Sequence, residues 1–127
     1  MKIALASILV DDQEKALDVY TRLLGFEKKM DIPMGEFRWL TVTAAGDPEG
    51  AELVLEPNAH PAAQTFQRAL YEDGIPAASF ASPDVAAEYR RLTELGIEFR
   101  SKPFNAGGTT IAVFDDRCGN LVQIHQG

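Results

Sequence analysis

Cysteine is nearly absent from this 127-residue chain, where Cys118 stands alone. One thiol cannot close a disulfide within the chain. A single cysteine in a turn such as Phe114-Asp115-Asp116-Arg117-Cys118-Gly119-Asn120 reads as a structural residue in a protein of a reducing, cytoplasmic compartment. Long apolar runs are missing too. Met1 to Val10 is apolar after Lys2, but it runs directly into Asp11 and Asp12 without a small-residue cleavage site, and so reads as a first strand. No stretch approaches the roughly 18 residues of a membrane span, which excludes a helical membrane protein. Positive charge is scarce: 12 Lys and Arg against 19 Asp and Glu leave a net charge of −7. Without a basic cluster there is no phosphate-binding face, and nucleic acid is excluded as a partner. No nucleophile-elbow motif is present, and Gly107-Gly108 is too little glycine for a phosphate loop. Low-complexity sequence is absent.

What the chain does have is an internal repeat. Ile8 to Phe26 combines a strand end, a helix start, an apolar stripe and a helix stop, and Phe80 to Phe99 uses the same parts in the same order. In the first copy Asp11 and Glu14 have capping-box spacing, Ala16, Tyr20, Leu23 and Leu24 form one stripe, and Gly25 stops the helix. In the second, Ser82-Pro83 opens the helix, Val85, Tyr89 and Leu92 form the stripe, and Gly96 ends it. Strands are expected at Lys2 to Leu9, Glu27 to Ile32, Phe37 to Thr43 and Ala51 to Glu56, then at Ala77 to Ala81, Glu98 to Lys102, Thr109 to Phe114 and Leu121 to His125. A linker helix from His60 to Tyr71 lies between them.

The expected fold is therefore α+β: two tandem βαβββ modules forming a curled mixed sheet, with helices on the outer face and an open cup inside. Module one is placed at 1–57, the linker helix at 58–76 and module two at 77–127, all within one domain of a size that buries about two-thirds of its unfolded surface. Residues two apart on a strand share a face, which sorts the side chains. Leu53, Leu55, Leu40, Val42, Ile111, Val113, Val122 and Ile124 are assigned to the helix side. Glu52, Val54, Glu56, Trp39, Thr41, Thr43, Thr110, Ala112, Phe114, Leu121, Gln123 and His125 are assigned to the cup. Parity on the first and fifth strands, which are expected to pair across the repeat, is open on pattern alone.

These segments resemble the vicinal oxygen chelate superfamily, which includes glyoxalase I, extradiol dioxygenases, fosfomycin-resistance enzymes and bleomycin-resistance binding proteins. The resemblance rests on VDDQEKALDVYTRLLGFE, ELVLEPN and FDDRCGNLVQIHQ, and it covers nearly the whole chain; the string EPNAHPAAQTFQRALYEDGIPA is similar to a glyoxalase-like group without an assigned reaction. It implies paired βαβββ modules, a homodimer, and a metal site built from one position on each of the first, fourth, fifth and eighth strands. Those positions fall at Leu5, Glu56, Ala78 and Gln123, where only Glu56 is a usual ligand, so neither a metal nor another cofactor is expected. The same alignment turns Leu5 and Ser7 inward on the first strand, and Ala78 and Phe80 inward on the fifth.

The expected function is that of a glyoxalase/bleomycin-resistance-like protein binding a small organic ligand in the cup, without the family's catalytic metal. Its contacts would be Ser7, Trp39, Thr41, Glu56, Phe80, Phe114, Gln123 and His125. The alternative is a glyoxalase-like enzyme of lyase, isomerase or dioxygenase type, using Glu56 as catalytic base or an atypically held metal. His60 reads as a helix-entry residue.

Overall fold

The structure is a computed structural model that describes all 127 residues. The chain divides into two compact units, Met1–Gln64 and Thr65–Gly127. No helix is long and apolar enough to cross a membrane.

The first unit contains β1 (Leu5–Val10), α1 (Gln13–Asp18), β2 (Glu27–Met34), β3 (Phe37–Thr43) and β4 (Glu52–Pro57). Its four strands form one mixed sheet in the order β1-β4-β3-β2, with β1 parallel to β4 and the remaining pairs antiparallel. The cap of α1 is Asp12, whose Oδ1 accepts the Lys15 N–H, while Asp11 pairs with the Lys15 ammonium. The expected capping box is thus displaced by one residue, because two adjacent aspartates offer the same chemistry. Ile8, Val10, Ala16, Val19, Tyr20, Leu23, Leu40, Val42 and Leu55 form the core of this unit. Where β3 and β4 part beyond Thr41 and Val54, the Gln13 amide fills the gap. It donates to Arg38 O and Leu55 O and accepts the Arg38 N–H, so these strand groups keep partners.

The helix does not end as α. It continues over Val19–Leu23 as a π turn, with Leu24 N–H donating to Val19 O and Phe26 N–H to Tyr20 O. Gly25 follows its cap residue Asp12 by thirteen positions, whereas Gly96 follows Asp84 by twelve. The π turn absorbs that extra residue, and the corresponding bonds in the second copy, Leu95 N–H to Arg91 O and Ile97 N–H to Leu92 O, are each one residue shorter.

The second unit holds most of α2 (Pro61–Glu72), then β5 (Ala78–Ala81), α3 (Val85–Glu94), β6 (Phe104–Ala106), β7 (Thr109–Asp115) and β8 (Leu121–Gln126). The sheet order is β5-β8-β7-β6, with β5 parallel to β8, repeating the topology of the first unit. The α+β class and the two βαβββ modules are as the repeat requires. Hydrogen bonding gathers their strands into two four-stranded sheets, so the first and fifth strands, expected to pair across the repeat, pair instead with β4 and β8. The α3 cap is Asp84, not the expected Ser82: its carboxylate accepts the Ala87 N–H, and Ser82 Oγ accepts the Asp84 N–H in turn. His60 opens α2 by accepting the Ala62 N–H at Nδ1, as a helix-entry residue should.

Two expectations fail here. The sixth strand lies at Phe104–Ala106 and not at Glu98 to Lys102. The earlier stretch keeps only a bridge from Phe99 to Phe114 and two backbone bonds to β7, because the chain must first round Pro103. The faces of β7 are also reversed. Ala112 lies opposite Ile124 and Phe114 opposite Val122 on the side where α3 packs, and Phe114 is buried in a chain of ring contacts through Phe99 to Tyr89. Ile111, Val113 and Asp115 take the other face.

Candidate functional site

Each sheet has one face against its helix and one face turned the other way, and strand register shows which side chains share the second. In the first unit Leu5 is level with Glu52, Ser7 with Val54 and Leu9 with Glu56 on parallel strands, while Thr41 lies opposite Val54. Ser7, Trp39, Thr41 and Glu56 therefore share the face opposite α1. Thr41 is buried; its Oγ1 donates to Glu52 Oε1 at 2.8 Å and accepts the Met30 N–H. Trp39 is half-buried, and Glu56 is exposed.

In the second unit Ser79 is level with Gln123 and Ala81 with His125. This turns Ser79 toward the face opposite α3, while Phe80, level with Ile124, lies on the α3 side together with Ala78. Phe80 and Phe114, expected as ligand walls, are thus on the helix side of their sheet, and Ser79 stands where Phe80 was expected. The repeat carried a signal for this: the caps Asp12 and Asp84 lie 72 positions apart, and the same offset maps the inward Ser7 onto Ser79. The parity of β5 was hard to read because Ala-Ser-Phe-Ala has no polar alternation.

Gln123, Ser79 and His125 form a connected row. Gln123 Nε2 donates to Ser79 Oγ at 3.0 Å, and Ser79 Oγ lies 2.7 Å from His125 Nδ1. With the Gln123 amide N–H on the serine oxygen, Gln123 Oε1 and His125 Nε2 remain as the outward polar groups of this row. Ile111, opposite His125, and Val113, opposite Gln123, give this polar row an apolar flank.

Next to Val113 the same unit has a cleft of about 470 Å³ lined by Tyr71, Glu72, Gly74, Arg100, Ser101, Val113 and Leu121. Tyr71 O–H donates to Asp115 Oδ2 at 2.5 Å, and this bond to a carboxylate pushes the phenol's pKa up. The Arg100 guanidinium carbon lies 5.0 Å from the centre of the Tyr71 ring. Neither Tyr71 nor Arg100 stood out in the sequence, where a tyrosine at a helix end and an arginine in a connecting segment carry no motif.

The turn before β8 is structural. The Asp116 carboxylate is fully buried and accepts the N–H groups of Cys118 and Asn120 and the Asn120 side-chain amide. Gln67 of α2 donates to Cys118 O and Asn120 Oδ1, and Cys118 itself is buried.

The family resemblance assigns a metal site to four positions, Leu5, Glu56, Ala78 and Gln123. Leu5 and Ala78 carry no donor, and Ala78 lies on the α3 side. Leu5 is level with Glu52, while Glu56 is level with Leu9, roughly 13 Å further along the strand at about 3.3 Å per residue. No three His, Cys, Asp or Glu side chains gather anywhere in the chain as a metal-holding group.

Comparison with known proteins accords with this architecture. Residues 2–124 match the model of the Glyoxalase/Bleomycin resistance protein/Dioxygenase superfamily. The uncharacterised protein YurT of Bacillus subtilis (strain 168) is 52% identical over 126 residues, spanning 99% of each chain. Among solved structures, UcmS2 is 32% identical with a TM-score of 0.84, covering 98% of this chain and 97% of its own. TnmS3, an antibiotic binding protein from Streptomyces sp. CB03234, is 28% identical with a TM-score of 0.76, covering 99% and 95%. With its paired βαβββ modules and a family match over nearly its whole length, the chain belongs to the glyoxalase/bleomycin resistance protein/dioxygenase superfamily.

Proposed function

We propose that this protein binds a small organic molecule against the β5–β8–β7 face, without the catalytic metal used by other members of its superfamily. The observation that carries this reading is the row Gln123–Ser79–His125, whose side chains bond to one another and leave Gln123 Oε1 and His125 Nε2 beside Ile111 and Val113. Few fixed polar groups on an apolar wall are the usual composition of a small-molecule site. The similarity to TnmS3, an antibiotic binding protein, supports the same class of function. In the first module, Ser7, Trp39, Thr41 and Glu56 share a face of mixed character on their own sheet.

Native mass spectrometry of the freshly purified protein should show a retained small-molecule adduct. The double variant Gln123→Leu, His125→Leu should lose that adduct while its circular dichroism stays unchanged, since both side chains stand on the face opposite α3. A bare chain in the parent protein, or an adduct indifferent to both substitutions, would remove the reading. Metal analysis after dialysis should find no stoichiometric divalent cation, and about one equivalent per chain would overturn the metal-free part of it.

A further inference from the structure

Arg100 is an arginine without a carboxylate in a chain that has carboxylates to spare. The six ion pairs engage Lys15, Arg22, Lys28, Arg91 and, twice, Arg38; Arg100 has no carboxylate oxygen within 4.0 Å. Its place is nevertheless fixed. The backbone N–H donates to Val113 O at 2.8 Å, and the guanidinium lies over Tyr71. Tyr71 is held by Asp115, whose other oxygen accepts the Arg117 N–H, so both acidic oxygens are occupied within the fold.

Resting on the ligand-binding reading above, we infer that the cleft of Arg100, Tyr71, Val113 and Leu121 receives an aromatic monocarboxylic acid, with its carboxylate on Arg100. The guanidinium supplies the paired N–H donors that match a carboxylate, and Ser101 stands beside it with a hydroxyl. Val113 and Leu121 provide the apolar floor for a ring, and the volume, about 470 Å³, suits a molecule of one or two rings. Val113 lies opposite Gln123, so a substituent on that ring faces the Gln123 side chain. Glu72, on the same lining, repels a second carboxylate and makes the site one for monoacids.

Benzoate and its neutral isostere benzamide test this on the full chain, by calorimetry or by amide chemical shifts in NMR. Benzoate should bind about tenfold or more tightly than benzamide, the effect of one charge-assisted contact. Arg100→Gln should remove that preference and leave the melting temperature near that of the parent, because Arg100 is exposed. Tyr71→Phe, which keeps the ring and releases Asp115, should retain the preference for benzoate. Failure of benzoate to bind at millimolar concentration, equal binding of the two probes, or a preference that survives Arg100→Gln overturns the assignment. The wider reading of the sheet face is decided separately, by the adduct and its dependence on Gln123 and His125.

Discussion

Arg38 shows how one residue can join local chemistry to fold. Its backbone N–H and C=O are held by Gln13, and its guanidinium makes two bonds to Asp31 across the β2–β3 pair and reaches Glu14 on α1. That guanidinium holds the Asp31 carboxyl down at about 2, against a smaller opposing effect of burial and with further help from Lys28. A carboxylate with a lowered folded-state pKa stabilises fully above the ordinary value near 4 and loses that contribution as pH falls toward the folded value. Stability measured by urea denaturation should therefore fall between about pH 4 and pH 2 more steeply for the parent than for Asp31→Asn. Equal slopes would mean that the pair has no influence on folding. Because both side chains keep about a quarter of their exposure, the difference should also shrink in high salt.

At the scale of elements, two glycines separate backbone strain from crowding. Gly25, which ends the first helix at φ +89°, has open space where a Cβ would be. Gly119, in the turn before β8 at φ +99°, would place a Cβ 2.8 Å from the Gln67 amide nitrogen, and that amide is buried and bonded to the same turn. Gly25→Ala should cost about 1 kcal/mol from conformation alone, and Gly119→Ala measurably more, since Gln67 must also move. Thermal denaturation of the two variants compares them directly, and equal costs would show that the Gln67 contact yields freely. The elements themselves were readable where the sequence alternates. Thr41, Val54, Gln123 and His125 were placed on the correct faces because β3, β4 and β8 mix polar and apolar side chains, and Ser7 was placed through the family resemblance. On β7 the run Ile-Ala-Val-Phe is apolar on both sides, so pattern could not tell that the larger Phe114 belongs under α3; on β5 pattern left the parity open, and the family resemblance turned Ala78 and Phe80 to the wrong face. The Ser79–His125 contact and the Arg100–Tyr71 pair join residues far apart in sequence, and no local motif announces either one.

At the scale of the molecule, we propose the two-fold homodimer that the family resemblance implies. Phe114 is core and needs no partner. Ile32, Met34 and Phe37, however, stand exposed together at the β2–β3 hairpin. A contiguous apolar patch of this kind is a common mark of a self-complementary interface. Light scattering at micromolar concentration should give twice the 13.9 kDa chain mass, and Met34→Glu with Phe37→Glu should return it to one. A monomer in the parent protein would remove the proposal.

The π turn in the first copy has a consequence for how the two modules differ. A tandem duplication begins with interchangeable halves, and a one-residue surplus within a helix ends that interchangeability, because every position after Tyr20 is offset from its counterpart. The first sheet carries Glu52 and Glu56 on β4, where the second carries Gln123 and His125 on β8. One topology is thus repeated with carboxylates on one strand and an amide and an imidazole on its counterpart.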